Sequence, residues 1–141
     1  MTITATRLWR VGIAVLFGGL LIAPGQATAD DDQPMHQVVY TISAKNPIYA
    51  DIYYQDQDPT KFSDYSHNPY TFTPNIQADI APGRPWTQQV MLVNPDAWAM
   101  VSVSTGRQPG TPGFHCTVSV DGNVVVSKDG DRGVLCSLRT W

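Results

Sequence analysis

The chain has 141 residues, which is enough for one domain of ordinary size. Its 12 acidic residues are all Asp and its nine basic residues leave a net charge of −3. A mildly acidic chain is not attracted to nucleic acid or to an anionic membrane surface. Because it has no Glu and contains 11 Pro and 11 Gly, it also lacks the composition of long helices.

Residues 1–29 have the layout of a secretory signal peptide. Arg7 and Arg10 precede a 13-residue apolar run at 11–23, and a small-x-small cleavage site ends at Ala29. The run is shorter than the roughly 20 apolar residues of a bilayer span. Cleavage after Ala29 is therefore predicted, and it leaves seven bases against 12 acids, a net charge of −5. The alternative is that 11–23 is kept as a membrane anchor.

The mature chain is expected to begin with an acidic, flexible leader at residues 30–37. Two strands are predicted at 38–45 and 48–54, because apolar residues alternate with polar ones along both. The turn signal Asn46-Pro47 separates them. Two β-rich runs this close predict an antiparallel hairpin.

Residues 55–84 form the least regular stretch, rich in Asp, Asn and Pro. Loops of about 30 residues are uncommon in compact domains, where they are either functional or loosely ordered. Within it, residues 70–76 are compatible with an edge strand. Aromatic residues set among polar ones indicate a candidate binding surface, made of Tyr53, Phe62, Tyr65, Tyr70 and Phe72. The alternative is that these rings plug one end of the fold.

Two further strands are predicted at 86–94 and 97–105, on the same alternation of apolar and polar residues. Pro95-Asp96 forms a turn between them, so the two strands are expected to pair. Trp86 is expected to cover the core beside the cysteines. Residues 106–113, with three Gly and two Pro, are predicted to be a mobile surface loop.

The stretch 114–141 contains the strongest pattern in the chain. Asp121-Gly122 predicts a tight hairpin turn, since Gly tolerates positive φ and Asp bonds its own backbone. Cys116 and Cys136 both fall on the apolar parity of their strands. We therefore predict one disulfide, closing a loop of about 20 residues and contributing roughly 3 kcal/mol. The alternative, a reactive thiol or metal pair, lacks a CxxC spacing.

The sequence contains no G-x-S-x-G, no H-E-x-x-H and no glycine-rich phosphate loop. His36, His67 and His115 lie far apart and lack metal-ligand spacing. His115 adjoins Cys116, but neighbours on a strand point to opposite faces. A non-enzymatic protein without a cofactor is therefore expected.

Loop-bound calcium is the alternative, because four Asp lie in loop-like stretches at Asp56, Asp58, Asp129 and Asp131. An EF-hand requires a bidentate acid at its end, normally Glu, and the chain has none. No metal site is therefore predicted.

The whole pattern predicts an all-β fold. Seven or eight short strands, at turn spacings near ten residues, indicate one small antiparallel β-sandwich of Ig-like architecture over residues 38–141. One disulfide completes it.

Several stretches, in this order and spacing, resemble the mycobacterial MmpS family, small accessory proteins of MmpL lipid transporters. They are VVYTI at 38–42, ADIYY at 50–54, Pro85-Trp86 and CTVSVDG at 116–122, followed by Val125 and Cys136. The resemblance implies a β-sandwich outside the cytoplasmic membrane. It also implies structural roles for Tyr54, Pro85, Trp86, Asp121 and Gly122. Unlike the family, this chain has a cleavage site and a longer stretch between Tyr54 and Pro85.

Two functions follow as alternatives. The resemblance implies an exported envelope protein that assists an MmpL-type exporter of lipids or siderophores, with the transporter or an envelope lipid as partner. The aromatic surface instead suggests a secreted binding module for a lipid, a glycan or a host protein.

Overall fold

A computed structural model describes residues 33–139 of the chain. Within this range the chain forms eight strands and three short helices. The strands are β1 His36–Ala44, β2 Ile48–Tyr54, β3 Asn75–Ile80, β4 Trp86–Leu92, β5 Met100–Ser104, β6 Phe114–Val120, β7 Asn123–Gly130 and β8 Gly133–Ser137. The helices are α1 Phe62–His67, α2 Pro69–Phe72 and α3 Pro95–Trp98.

The strands form two four-stranded antiparallel sheets. The first sheet has the order β4-β1-β6-β7, and the second sheet has the order β3-β2-β5-β8. The predicted all-β sandwich is therefore confirmed. The core lies between the sheets because every second residue of the central strands is apolar and points inward.

Burial follows this alternation closely. On β1 the inward residues Val38, Tyr40 and Ile42 are fully buried, and Ala50 and Ile52 on β2 face them from the second sheet. The central strands β5 and β6 contribute Val101, Val103, Phe114, Cys116 and Val118, and the edge strand β8 contributes Cys136. Both sheets thus bury one apolar face in a shared core.

The predicted disulfide is confirmed between Cys116 and Cys136. Both cysteines are fully buried, and they lie on β6 of the first sheet and β8 of the second. Their Cα atoms are 6.1 Å apart, and 20 positions separate them in sequence. The bond therefore joins the two sheets covalently through the core.

Two predicted strand pairings are wrong. β1 pairs with β4 and β6, whereas β2 pairs with β3 and β5, so 38–45 and 48–54 do not form a hairpin. Likewise β4 and β5 lie in different sheets, because the helical turn α3 carries the chain from one sheet to the other. Each short connection bridges the sandwich, since the apolar faces of the strands on either side must meet across the core.

The predicted hairpin at Asp121-Gly122 is confirmed between β6 and β7. Both turn residues have positive φ, 52° for Asp121 and 89° for Gly122. This is the combination that a two-residue type I′ turn requires. Asp121 also holds the start of β1: its carboxylate accepts hydrogen bonds from the Gln37 amide and contacts His36 Nδ1 at 2.7 Å.

Several boundaries differ from the sequence analysis, including the strand predicted at 97–105, which begins at Met100 after α3. β1 begins at His36, inside the segment 30–37 that is predicted to be the flexible leader. The stretch 55–84 is not a loop, because it contains α1, α2 and the edge strand β3. The edge strand is Asn75–Ile80, and the first part of the predicted 70–76 segment is helical instead.

The signal peptide or anchor predicted at 1–29 lies outside the described residues, as does most of the acidic leader. Between residues 33 and 139, no helix is both long and apolar enough to cross a bilayer.

Candidate functional site

A concave surface lies on the outer face of the second sheet. Its floor is a row of side chains across three strands, because Tyr53 on β2 pairs with Ser102 on β5, and Ser102 pairs with Leu135 on β8. Their neighbours in sequence point into the core, so these three point outward. Met100 lies two residues from Ser102 and extends the floor.

The wall of this surface is made by the short helices. α1 contributes Tyr65, α2 contributes Pro69 and Tyr70, and Thr73 follows α2. Together with the floor they enclose about 370 Å³, near the lower end of the volumes typical of small-molecule sites. We call this cavity the tyrosine groove, and its lining residues are Tyr53, Tyr65, Pro69, Tyr70, Thr73, Met100, Ser102 and Leu135.

The structure brings together three of the five predicted binding residues. Tyr53 and Tyr70 have ring centroids 6.3 Å apart, and Tyr70 is 70% exposed. Partial desolvation, with Asp51 and Tyr70 nearby, raises the pKa of Tyr53. Its phenol therefore stays protonated at neutral pH and can donate a hydrogen bond at the rim of the groove.

Tyr65 also connects the groove to the core. Its ring lies 5.4 Å from that of Trp98 and 6.0 Å from that of Phe62. The Arg139 guanidinium sits 4.8 Å from the Phe62 ring centroid and 4.9 Å from that of Trp98. Phe62 thus belongs to an aromatic cluster over Trp98, outside the residues that line the groove. This contact agrees with the alternative that some of the rings cover one end of the sandwich.

Phe72 does not line the groove either. Phe72 contributes through its backbone, because its carbonyl oxygen accepts a hydrogen bond from the Asp56 amide at 2.8 Å. Conversely, Met100, Ser102 and Leu135 line the groove and were not predicted. Strand parity marks them as outward, but only the pairing of β2, β5 and β8 places them beside Tyr53.

Gln55 fixes the position of the helical wall. Its side chain is fully buried, with Nε2 donating to the Gln57 carbonyl at 2.9 Å and Oε1 accepting from Thr73 Oγ1 at 3.0 Å. The helices have no fully buried residue, and Tyr65 alone packs half-buried against the core. These polar contacts therefore supplement the small apolar contact that holds residues 55–74 in place.

Tyr40 ties Gln55 to the first sheet. Its hydroxyl donates to the Gln55 carbonyl oxygen at 2.8 Å and accepts from the Met100 amide at 3.4 Å. Burial raises the pKa of the Tyr40 phenol far above its ordinary value. The hydroxyl therefore stays protonated and remains a hydrogen-bond donor. Its two bonds fix the backbone positions of Gln55 and Met100 at the end of the groove.

Asp58 is one of the four aspartates considered above as possible calcium ligands, and in the structure it has a different role. Its carboxylate oxygens accept the backbone amides of Val93 and Asn94 at 2.7 and 2.8 Å. These bonds fasten residues 55–60 to the start of α3. Within residues 33–139, no group of three or more His, Cys or acidic side chains is placed to hold a metal ion.

A second concavity, of about 330 Å³, lies beside the tyrosine groove. We call it the polar depression. Asp51 lies at its centre, where Oδ1 accepts hydrogen bonds from Asn75 Nδ2 and Gln77 Nε2, both at 2.8 Å. Its lining residues are Tyr49, Asp51, Asn75, Gln77, Thr105, Gly106, Arg107 and Gln108.

The residues singled out by the resemblance are mainly structural in their contacts. Tyr54 lies between Tyr40 and Trp86, with ring centroids 6.1 and 5.6 Å away. Trp86 is half-buried against the core, whereas Pro85 is exposed just before β4. This aromatic row links the second sheet to the edge of the first.

A polar network on the outer face of the first sheet was missed by the sequence analysis. His115 Nδ1 lies 2.7 Å from Asp129 Oδ1, and its Nε2 lies 3.1 Å from Ser127 Oγ. The connectivity is that of a Ser-His-Asp triad. Asp129 is 79% exposed, however, whereas the acid of a working triad is buried. The signal lay in the pairing of β6 with β7, which places position 115 opposite 129.

The chain matches a family model described as the Rv2576c beta-sandwich domain over residues 40–136. The uncharacterized protein Rv2576c of Mycobacterium tuberculosis is 36% identical over 141 residues, which is all of this chain and 91% of that protein. The uncharacterized protein Mb2606c of Mycobacterium bovis gives the same identity and coverage. The matched range includes both cysteines and all the residues that line the tyrosine groove and the polar depression. This chain belongs to the family of the Rv2576c β-sandwich domain.

Proposed function

We propose that this protein is an exported, non-enzymatic binding module whose tyrosine groove takes the apolar part of an envelope lipid. The observation that carries the proposal is the groove itself, a cavity of about 370 Å³ outside the core, lined mainly by aromatic and apolar side chains. Concave apolar surfaces with a few polar groups at the rim are typical of small-molecule sites. The disulfide supports export, since such bonds persist in oxidising compartments.

A lipid chain fits this surface better than a protein does. The groove holds about 370 Å³ and is bounded by short helices on one side, whereas protein interfaces need about 800 Å² of surface on each partner. Tyr70 is 70% exposed, and its ring next to Tyr53 offers apolar area that water now covers. Covering that area is the driving force for binding.

Binding of cis-parinaric acid, a fluorescent fatty acid, tests the proposal. Tyr70→Ala should weaken binding about tenfold, because it removes a large ring worth about 1.5 kcal/mol of contact. The matched control is Val124→Ala, an exposed apolar residue on β7 of the other sheet. If both variants bind the probe as the wild type does, the groove is not the lipid site.

A second candidate function is the accessory of an MmpL-type transporter, as the resemblance suggests. β7 supports it, because it is an edge strand of the first sheet with Val124 and Val125 exposed. Unpaired strand edges accept a strand from a partner. Purification of the tagged protein from mycobacterial membranes should then retain a large transporter, and Val125→Asp should release it. Retention of the transporter by this variant would remove β7 as the contact.

We also propose that the protein is not an enzyme. The network of Ser127, His115 and Asp129 tests this part, because it has the connectivity of a catalytic triad. An exposed serine without a buried acid is a weak nucleophile. We therefore expect no covalent adduct at Ser127 after treatment with a fluorophosphonate probe, measured by intact mass. An adduct that is lost in both Ser127→Ala and His115→Ala would show a working nucleophile and overturn this part.

A further inference from the structure

The polar depression and the tyrosine groove are adjacent parts of one surface. Tyr53, which lines the groove, is directly opposite Asn75, which lines the depression, in the pairing of β2 with β3. Asp51 lies two residues from Tyr53 on the same face of β2, which is about 6.6 Å along the strand. A single molecule with an apolar part and a polar part can therefore occupy both.

The hydrogen-bonding groups of the depression are already oriented. Asn75 and Gln77 hold Asp51 Oδ1, and Asn75 Nδ2 also donates to the Ile52 carbonyl at 3.0 Å. Among the described residues no hydrogen bond uses Asp51 Oδ2. The carboxylate is therefore fixed by its neighbours while one oxygen stays available as an acceptor, which lowers the entropic cost of binding.

The opposite side of the depression offers donors. Arg107 and Gln108 lie on the turn after β5, where the Gln108 amide donates to the Thr105 carbonyl at 2.9 Å. Arg132 Nη2 donates to Thr105 Oγ1 at 3.1 Å and so supports this turn from β8's side. One oriented acceptor, Asp51 Oδ2, and the exposed donors of Arg107 and Gln108 therefore line the same concavity.

The charges of the depression balance. Its lining has one acid, Asp51, and one base, Arg107. A phosphate head group would meet the carboxylate, and a cationic one would meet the guanidinium, so both are disfavoured relative to a neutral group. Hydroxyl groups both donate and accept, which suits a lining that contains both a carboxylate and a guanidinium. Tyr49, 50% exposed, adds an aromatic face against which the C–H side of a sugar ring can pack.

We infer that the polar depression binds the neutral, polyhydroxylated head group of an amphipathic lipid whose chain lies in the tyrosine groove. The inference rests on the proposed function and names its ligand class, a glycolipid. Asp51 accepts from the head-group hydroxyls, and Arg107 donates to them.

Three probes separate the contributions of the chain and of the head group to binding. n-Octyl β-glucoside, used below its critical micelle concentration, has both parts, 1-octanol has only the chain, and methyl β-glucoside has only the sugar. Binding is followed by backbone amide shifts of the 15N-labelled protein. We expect octyl glucoside to shift amides of both concavities and to bind at least tenfold more tightly than either part alone. Asp51→Asn and Arg107→Ala should each weaken octyl glucoside about fivefold and leave octanol unchanged. Asp51→Asn keeps an oxygen for Asn75 and Gln77, so the fold is retained.

The matched control is Asp96→Asn, which removes an exposed charge on α3 outside both concavities. If octanol binds the groove but octyl glucoside binds no more tightly, or Asp51→Asn is neutral, the head-group inference is wrong and the lipid groove stands. Tighter binding of n-octyl phosphate would also overturn it. If neither octyl compound shifts groove amides, the proposed function itself fails.

Discussion

Two regions of this sandwich are stabilised in opposite ways. Residues 114–137 pair in strand ladders, place apolar residues inward and contain the disulfide. Residues 55–74 contain two short helices with no fully buried residue, positioned by the Gln55–Thr73 side-chain hydrogen bond and by half-buried Tyr65 against Trp98. The first region, which we call the frame, supplies stability, while the second, the helical wall of the groove, supplies exposed aromatic rings. Because the wall is attached separately, it can be altered without unfolding the frame.

The largest test of this comparison is removal of the disulfide. Cys116→Ala with Cys136→Ala should lower the free energy of unfolding by about 3 kcal/mol, because a closed loop with a separation of 20 residues no longer restricts the unfolded chain. Urea unfolding measures the loss. Binding of cis-parinaric acid to the protein that remains folded should be unchanged. The wild type in reductant is the control and should lose the same amount, and a loss below 1 kcal/mol would contradict the assignment of stability to this region.

A smaller loss of stability, confined to the helical wall at residues 55–74, is expected for Thr73→Val. The substitution keeps the shape but removes the hydroxyl that donates to buried Gln55 Oε1, at a cost of about 1–2 kcal/mol. Hydrogen exchange should speed up for amides 62–72 and leave those of 114–137 protected. Thr71→Val, at an exposed position, is the control. Equal acceleration in both regions would mean that the wall and the frame unfold together.

The smallest effect concerns the Asp121 turn. Hydrogen bonding to His36 and to the Gln37 amide lowers the pKa of Asp121 below its ordinary value of 3.8. The ionised carboxylate therefore stabilises the fold above that value, and its contribution is lost as the pH falls through the lowered pKa. Asp121→Asn, which tolerates positive φ, should lose less stability than the wild type as the pH falls below 3.8 and through the lowered pKa of Asp121. Parallel denaturation curves would show that the ion pair contributes nothing.

The sequence predicts the frame well because alternation reports which face of a strand is buried. Asp121-Gly122 and both cysteines were located correctly for that reason. Alternation does not report which sheet a strand joins, so the connections at Asn46-Pro47 and Pro95-Asp96 were mistaken for hairpin turns. These connections pass from one sheet to the other because the apolar faces of the two strands that they join must pack against each other.

The candidate site could be predicted only in part. Tyr53, Tyr65 and Tyr70 were found because aromatic residues stand out in a polar stretch. Leu135 is 82 positions from Tyr53, and only strand pairing through Ser102 brings them into one row. The helices α1 and α2 were missed because their sequence has little helix propensity, and tertiary hydrogen bonds from Gln55 and Thr73 hold them in place.

The alternation of β2, β5 and β8 has a consequence for how this family can diversify. Positions 53, 102 and 135 point away from the core, and the residues beside them point into it. Exchanges at the three outward positions therefore change the shape and polarity of the groove while the packing between the sheets is unaffected. The outer surface of the second sheet can accordingly change in sequence without compensating changes in the interior.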